Sequence, residues 1–427
     1  MKEWLLALAV SLFLPLRSSA ATPHAAASSP DSVTHVAGSG FRLVSNASGT
    51  LNFRLYATVR YLNENGLDDH YTDSFGQTKP VNTLHDIQVN KVIFYFYGWL
   101  LNPKLRYLTY AWTTNSSQGL SAQVVVAGNV EYAFSDRATL GFGINSLPGT
   151  RSTAGTFPMW LAVDNRVIAD EFFRPSYSTG LWMKGTLARQ FRYQLMVANN
   201  LSQLGVDAGQ LDNDLSTFSG DLWWTGANDF GKGFGDFDRH ERMATRIGVH
   251  YTNSDEDRQS QPGTEAPDNT QIRLSDGNIV FIPGLFGPGI SVEKIAYHMA
   301  AVDGGVKWHG LALGGEAYFR RLDNLRGPGV GTLSFDHMND QGLSWYASGM
   351  AIPSTLELYL RGSKVFGERG DPWDARVGGS WFLWKNQTIR WHNEVIVLSH
   401  SPVGALSLPY VVGGNGVVFN SNFEINF

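Results

Sequence analysis

Cysteine is absent from the 427 residues of this chain, and charged residues make up only 17% of it. The absence of cysteine excludes a disulfide framework and any metal site built on thiolates. Soluble domains usually carry charge on about 25% of their residues, so charge is scarce here. Together with 46 glycines and 13% aromatic residues, this composition is typical of a β-rich chain with many tight turns.

The chain also lacks a run of about 18 apolar residues, the length that a transmembrane helix requires. Its N-terminal apolar stretch, residues 5–16, is too short to cross a bilayer. This stretch follows Lys2 and precedes Ser18 and Ala20, the pattern of a cleaved secretory signal peptide, although a buried N-terminal helix is the alternative. We predict a signal peptide at residues 1–20 and a flexible N-terminal leader at residues 21–48.

Enzyme motifs are missing as well. The sequence has no His-Glu-x-x-His zinc site, no Gly-x-Ser-x-Gly nucleophile turn and no Gly-x-x-x-x-Gly-Lys phosphate loop. The net charge of −5 gives no indication of nucleic-acid binding. We therefore predict that the protein is not an enzyme, has no catalytic residues, and needs neither a metal nor a cofactor.

What the sequence does contain is strict alternation of apolar and polar residues. The stretch LNFRLYATVRYL, residues 51–62, separates apolar from polar side chains onto the two faces of a strand. The final stretch, VVFNSNFEINF, alternates in the same way up to Phe427. A soluble β-sandwich also alternates, because one face of each strand meets the core and the other meets water, so the pattern alone leaves both folds open.

About 16 such strands, each of roughly 9 to 13 residues, recur from residue 51 onward, and tight turns alternate with longer loops. This layout is typical of outer-membrane barrels, whose turns face the periplasm and whose loops face outside. We predict an all-β fold over residues 49–427: a closed antiparallel transmembrane β-barrel in the cell outer membrane, with short periplasmic turns, long extracellular loops and one constriction loop that folds inward. A Gly/Asp-rich stretch between the strands near 219–226 and 243–252 is longer than this layout explains.

Aromatic residues crowd the ends of two candidate strands. We predict that they form girdles at the membrane interface, with buried core positions as the alternative. A terminal aromatic residue on the lipid face resembles the signal by which the barrel assembly machinery recognises its clients. The clustered residues are Tyr95, Phe96, Tyr97, Trp99, Trp381, Phe382 and Trp384.

The polar phase of the strands, which would face the lumen, carries more arginine than acid. Rings of arginine along a water-filled channel select anions, and the guanidinium fork suits phosphate. The alternative is that each arginine pairs with a lumen carboxylate and braces the wall. The candidates for the anion pathway are Arg54, Arg60, Arg106, Arg192, Arg246, Arg320, Arg361, Arg376 and Arg390.

The loop at residues 146–178 contains apolar Phe157, Trp160 and Leu161 and three arginines. A long loop with its own hydrophobic residues tends to pack against other parts of the protein, and the interior wall of the barrel is available. We predict that it narrows the pore, with a simple extracellular loop as the alternative. Its candidate functional residues are Arg151, Arg166 and Arg174.

Several segments follow one another in a recognisable order: FSDRATLGFGINSLPG to FFRPSYSTGLWMKG, then GLSWYASGMAIPSTLELYLRGSKV and RVGGSWFLWKNQTIRWHNEVIV. This succession resembles the phosphate-selective porin O/P family of Gram-negative outer membranes. The resemblance implies a 16-stranded, usually trimeric channel in outer-membrane lipid that passes phosphate or other small anions along basic lumen residues. The loop-borne lysine cluster of that family has no counterpart here, because residues 146–178 contain no lysine. A non-selective general porin and a surface-binding barrel remain the alternative functions.

A barrel of this kind makes a simple biochemical prediction. The protein should be recovered in the detergent-resistant membrane fraction, and unheated samples should migrate differently from boiled ones on a denaturing gel. A freely soluble monomer with one mobility would contradict the barrel.

Overall fold

The computed structural model describes residues 34–36, 40–115, 123–202, 214–259, 269–404 and 408–427. The strands are β1 (Thr34–Val36), β2 (Gly40–Asn46), β3 (Gly49–Leu67), β4 (His70–Thr72), β5 (Thr78–Pro80), β6 (His85–Leu100), β7 (Asn102–Asn115), β8 (Gln123–Ser135), β9 (Ala138–Ser146), β10 (Tyr177–Ala188), β11 (Phe191–Ala198), β12 (Thr217–Thr225), β13 (Ala244–Asp257), β14 (Lys294–Trp308), β15 (Leu311–Arg326), β16 (His337–Ile352), β17 (Leu356–Gly367), β18 (Trp373–Phe382), β19 (Ile389–Ser399) and β20 (Gly416–Asn426). A short helix, α1 (Ile168–Phe173), and a 3-10 turn at Val330–Thr332 interrupt the loops.

The barrel closes on itself. Strand β3 and strands β6 to β20 pair antiparallel with their neighbours in the chain, and β20 pairs back onto β3 over the register Asn426–Tyr56 to Gly416–Leu67. The predicted 16-stranded closed barrel is therefore confirmed. Closure matters because an open sheet edge in lipid would leave backbone N–H and C=O groups without hydrogen-bond partners.

Alternation gives the wall an apolar outside and a packed inside. In β17, Leu358 and Leu360 are 51% and 52% exposed on the outer face. Tyr359 and Arg361, which alternate with them, face inward and are 3% and 6% exposed. The same two-residue period runs along the neighbouring strands. No helix in the described ranges is long and apolar enough to cross a membrane.

Most periplasmic turns are short. The β14–β15 turn consists of His309 and Gly310, both with positive φ (51° and 91°), a backbone conformation that tight hairpins need. The exception is the Gly/Asp-rich stretch at residues 226–243, between β12 and β13. It turns inward instead of capping the rim: Phe230 is 2% exposed and Asp236 is 1% exposed. The strand pattern does not explain the length of this stretch. Its entry into the lumen does.

The extracellular half of the lumen contains a hydrophobic core. Loop residues such as Ile272 and Phe281 are fully buried against α1 and the inner faces of β14 and β15. The hairpin of β4 and β5 packs against the same loop. Lys79 Nζ donates to Asn278 Oδ1 at 2.6 Å, and the Ser74 hydroxyl donates to Asp276 Oδ2 at 2.6 Å. The long loops therefore fold over and into the barrel mouth.

Part of the predicted flexible leader is ordered. Residues 40–46 form β2, which pairs with the start of β3 just below the point where Phe427 pairs with Leu55. The Phe41 ring lies edge-on to the Phe427 ring with centroids 5.6 Å apart. These residues form a strand within the stretch expected to be a flexible leader, because β3 extends beyond β20 and offers them an edge to pair with. The predicted signal peptide lies outside the described residues.

A β-bulge in β6 overturns part of the aromatic-girdle prediction. Thr58 of β3 pairs with Lys91, yet the next residue, Val59, pairs with Val89. The extra residue inverts the phase, so Tyr95 and Tyr97 face the interior instead of lipid. Phe382, at 4% exposure, also points inward, whereas Trp381 and Trp384 remain exposed on the outside.

The apolar outer wall predicts depth-dependent sensitivity to charge. Leu360→Arg, near the middle of β17, should lower the free energy of unfolding by about 2–4 kcal/mol, because a charge would sit in the hydrocarbon midplane. Leu311→Arg, beside a periplasmic turn and equally exposed, is the matched control and should cost about 0–1 kcal/mol. Urea unfolding in lipid vesicles measures both, and equal losses would contradict this orientation of the wall.

Candidate functional site

The loop at residues 147–176 leaves the wall after β9 and crosses the lumen. On the far side, wall arginines hold its carbonyl oxygens: Arg390 Nη1 donates to Trp160 O at 2.8 Å, and Arg361 Nη1 donates to Asn165 O at 3.0 Å. The Asn165 side chain accepts from Arg376 Nη1 at 3.0 Å. The predicted inward-folding loop is therefore present, and buried charge-assisted hydrogen bonds anchor it.

The periplasmic segment at residues 226–243 meets this loop inside the barrel. The Phe234 N–H donates to Met159 O at 3.2 Å, and Arg151 Nη2 donates to Lys232 O at 2.9 Å. From the wall, Lys307 Nζ donates to Phe230 O at 2.9 Å and to Gly233 O at 2.8 Å. The loop and this segment together fill the lumen beside β14 to β18.

Open space lies on the opposite side, between the loop and the wall of β3 and β6 to β11. It is a cavity of about 630 Å³, within the size range of small-molecule sites. Six cationic side chains and two carboxylates line it, together with a larger set of aromatic rings. The charged residues are Arg54, Lys91, Arg106, Arg166, Arg174, Lys184, Glu131 and Asp164, and the aromatic ones are Tyr95, Tyr97, Tyr107, Tyr110, Trp112, Phe157, Trp160 and Tyr177.

Four of the six cations already have carboxylate partners. Lys91 Nζ lies 2.7 Å from Asp164 Oδ2, and Lys184 Nζ lies 2.5 Å from Glu131 Oε1. Both lysine partners are the carboxylates of the cavity itself. Their charges therefore cancel locally.

The two loop arginines that line the cavity, Arg166 and Arg174, share the carboxylates of α1. Arg174 Nε donates to Glu171 Oε2 at 2.8 Å, and Arg166 Nη1 lies 3.5 Å from the same oxygen. Burial alone would raise the pKa of Glu171, but the guanidinium groups of Arg174 and then Arg166 outweigh it and lower that pKa below its ordinary value. Glu171 is therefore ionised, and it offsets part of the positive charge of the loop.

Arg54 and Arg106 are different, because neither forms an ion pair with any carboxylate in the described part of the chain. Arg54 Nε donates to Asn426 Oδ1 at 2.8 Å, and its guanidinium carbon lies 5.3 Å from the Tyr95 ring centre. The Arg54 Nη2 group has no hydrogen-bond acceptor among the described residues. Arg106 is exposed to the cavity and makes one long bond, 3.4 Å, to Pro103 O. These two side chains supply the uncompensated positive charge of the cavity.

The other seven arginines of the sequence-derived set lie elsewhere. Arg60 donates to Gln88 Oε1 at 3.1 Å, and Arg192 lies 4.0 Å from Asp229. The remaining five are buried against wall carboxylates, as the bracing alternative describes. Their pairs are Arg246 with Asp303, Arg320 with Asp340, Arg361 with Glu394, Arg376 with Asp374 and Arg390 with Glu424.

The three loop candidates have separate positions. Arg166 and Arg174 line the cavity, and the Arg166 guanidinium carbon lies 4.0 Å from the Trp160 ring centre. Arg151 lies on the other side of the loop, 7% exposed, with its guanidinium beside the rings of Phe230 and Phe234. Its place is in the contact between the loop and the periplasmic segment.

Sequence reasoning missed Lys91, Lys184 and the tyrosines of the cavity. Lys91 lies at the bulge of β6, and Tyr95 follows in the inverted phase, so strict alternation assigned the wrong face. Lys184 is on the regular phase of β10 and could have been found by counting lysines as well as arginines. In the part of the chain that the structure describes, no group of three His, Asp or Glu side chains is placed to hold a metal ion.

No protein-family model and no curated protein matches this chain. Solved structures do match its fold. OmpT of Vibrio cholerae superposes with a TM-score of 0.55 at 11% identity, over 90% of this chain and all of that one. A trimer form of the same protein gives a TM-score of 0.51 at 11% identity, over 89% of this chain and all of that one. The anion-selective porin from Comamonas acidovorans gives a TM-score of 0.53 at 11% identity over 89% of this chain and 99% of that one, and Salmonella typhi OmpF gives 0.50 at 13% over 90% and 99%.

The chain is an outer-membrane β-barrel protein. The closed 16-stranded wall and its apolar outer face agree with this location, and the solved outer-membrane structures share its fold.

The contact between the loop and the periplasmic segment gives a direct test of lumen filling. Replacing residues 229–238 with a Gly-Ser-Gly linker should increase the single-channel conductance, because it removes one of the two segments that fill the lumen beside β14 to β18. The matched control places the same linker at the short turn of residues 353–355, which lies outside the lumen. Unchanged conductance in the first variant would show that ions already bypass the segment.

Proposed function

We propose that this protein is a passive channel for small anions, and that they move through the cavity between the loop and the wall of β3 and β6 to β11. The observation that carries the proposal is the uncompensated positive charge of Arg54 and Arg106 beside open space. A low-dielectric wall concentrates the field of such charges and raises the local concentration of anions.

The residues of the cavity favour a general preference for anions over specific recognition of phosphate. Phosphate recognition would use several arginine forks free to bind the ligand, and five of the nine sequence-derived arginines bind wall carboxylates instead. The alternative of a channel without charge preference predicts equal permeation of both ion signs. The surface-receptor alternative predicts no steady ion current.

The same proposal includes assembly and partners. A trimer form of the Vibrio cholerae protein shares this fold, and we propose a homotrimer in outer-membrane lipid, inserted by the barrel assembly machinery. In this role the protein has no catalytic step. Light scattering of the detergent-solubilised protein measures the number of chains, and a monomeric mass would contradict the trimer.

Reversal potentials in a KCl gradient test the charge preference. The wild-type channel should favour chloride, and Arg54→Ala or Arg106→Ala should each lower the chloride-to-potassium permeability ratio by about two- to threefold, since each removes one unpaired charge from a focused field.

The matched control is the double variant Arg320→Met with Asp340→Leu, which removes a buried charge pair of the wall and leaves the net charge unchanged. It should keep the wild-type reversal potential. Cation preference in the wild type, or equal shifts in all these variants, would overturn the proposal.

A further inference from the structure

The cavity is rich in aromatic rings. Eight of its lining residues are Tyr, Trp or Phe, on strands β6, β7 and β10 and on the loop. Small hydrated anions gain little from such surfaces, because ring faces offer neither charge nor hydrogen-bond donors to them. The ring faces are suited to a ligand that has a flat apolar body.

Four of the rings form two pairs, and each pair has a cation beside it. Tyr95 and Tyr110 lie side by side on β6 and β7 with centroids 5.9 Å apart, and the Arg54 guanidinium lies over the Tyr95 ring. On the loop side, Phe157 lies 5.3 Å from Trp160, and Arg166 lies over Trp160 at 4.0 Å. A guanidinium group lies over one ring of each pair. A ligand with both an aromatic ring and a negative charge could therefore contact a ring and a guanidinium at the same time.

Several groups at the cavity are free to donate a hydrogen bond to a ligand. The hydroxyl groups of Tyr95, Tyr110 and Tyr177 and the indole N–H of Trp112 have no hydrogen-bond partner among the described residues. Arg54 Nη2 is a further donor without an acceptor.

The two carboxylates of the cavity already bind donors of the protein. Asp164 accepts from Lys91 and from Asn90, and Glu131 Oε1 accepts from Lys184 and from the Trp182 indole. A ligand carboxylate presents acceptors alone, and both Arg54 and the free hydroxyl and indole groups can donate to it. Its negative charge also complements Arg54, which a neutral sugar would not do.

We propose that the channel takes aromatic carboxylates, with the ring stacked on the Tyr95 and Tyr110 side of the cavity and the carboxylate held by Arg54 and the tyrosine hydroxyls. This inference rests on the proposed anion channel and names its substrate class. The carboxylate and the ring are recognised together, so neither acetate nor a neutral phenyl compound has both features.

Block of the chloride current in planar bilayers tests the proposal. The probes are potassium benzoate, glucuronate and acetate, which carry equal charge. Benzoate should reduce the single-channel current saturably and at least about tenfold more potently than acetate, since stacking on aromatic side chains contributes that much per ring. Glucuronate should behave like acetate. Equal potency of benzoate and acetate, or stronger block by glucuronate, would overturn the inference.

Substitutions of Tyr95 distinguish a loss of stacking on its ring from a loss of folding. Tyr95→Leu should weaken benzoate block by about tenfold, whereas Tyr95→Phe, which keeps the ring and loses the hydroxyl, should weaken it less. Tyr251→Leu, a tyrosine on the outer face, is the matched control and should leave the block unchanged. Gel mobility before and after heating confirms that each variant is folded, and equal block in Tyr95→Leu and wild type would contradict the assignment of this ring.

The two proposals can fail separately. Loss of chloride preference in the KCl gradient refutes the anion channel, whatever benzoate does. A chloride-selective wild type in which benzoate and acetate block alike keeps the channel and refutes the aromatic substrate class.

Discussion

The structure depends on one constraint: a backbone in lipid must satisfy its own hydrogen bonds. A β-sheet does so only when its last strand pairs with its first, as β20 pairs with β3. Closure fixes a cylinder with an apolar exterior, and in the middle of the strands polar side chains therefore point inward. The buried charged side chains, such as Arg361 and Glu394, lie inside for this reason.

Charges confined to the lumen have to be compensated or used. Most are compensated: buried arginines of β13, β15, β17, β18 and β19 bind carboxylates, and three of them also hold the loop in place. This arrangement assigns the same side chains two structural roles. It leaves a small number of cations, Arg54 and Arg106 above all, free to act on solutes.

The lumen is divided unequally. The loop at residues 147–176 and the periplasmic segment at residues 226–243 meet and fill one side, and the extracellular loops cover part of the mouth with a hydrophobic core. The space that remains has one charged wall and many rings. Its chemistry comes from two neighbouring features, an unpaired positive charge and exposed aromatic faces, and not from a single ring of arginines.

The sequence alone determined the strands, their number, the inward loop and the excess of arginine on the lumen phase, because a period of two residues is a local property of each strand. Tertiary structure decided which arginines are free, since pairing joins residues such as Arg361 and Glu394 that lie 33 positions apart. It also decided that Tyr95 faces the cavity, because a bulge at Lys91 inverts the phase without a local signal. Alternation predicts a face, but only the fold brings the partners to it.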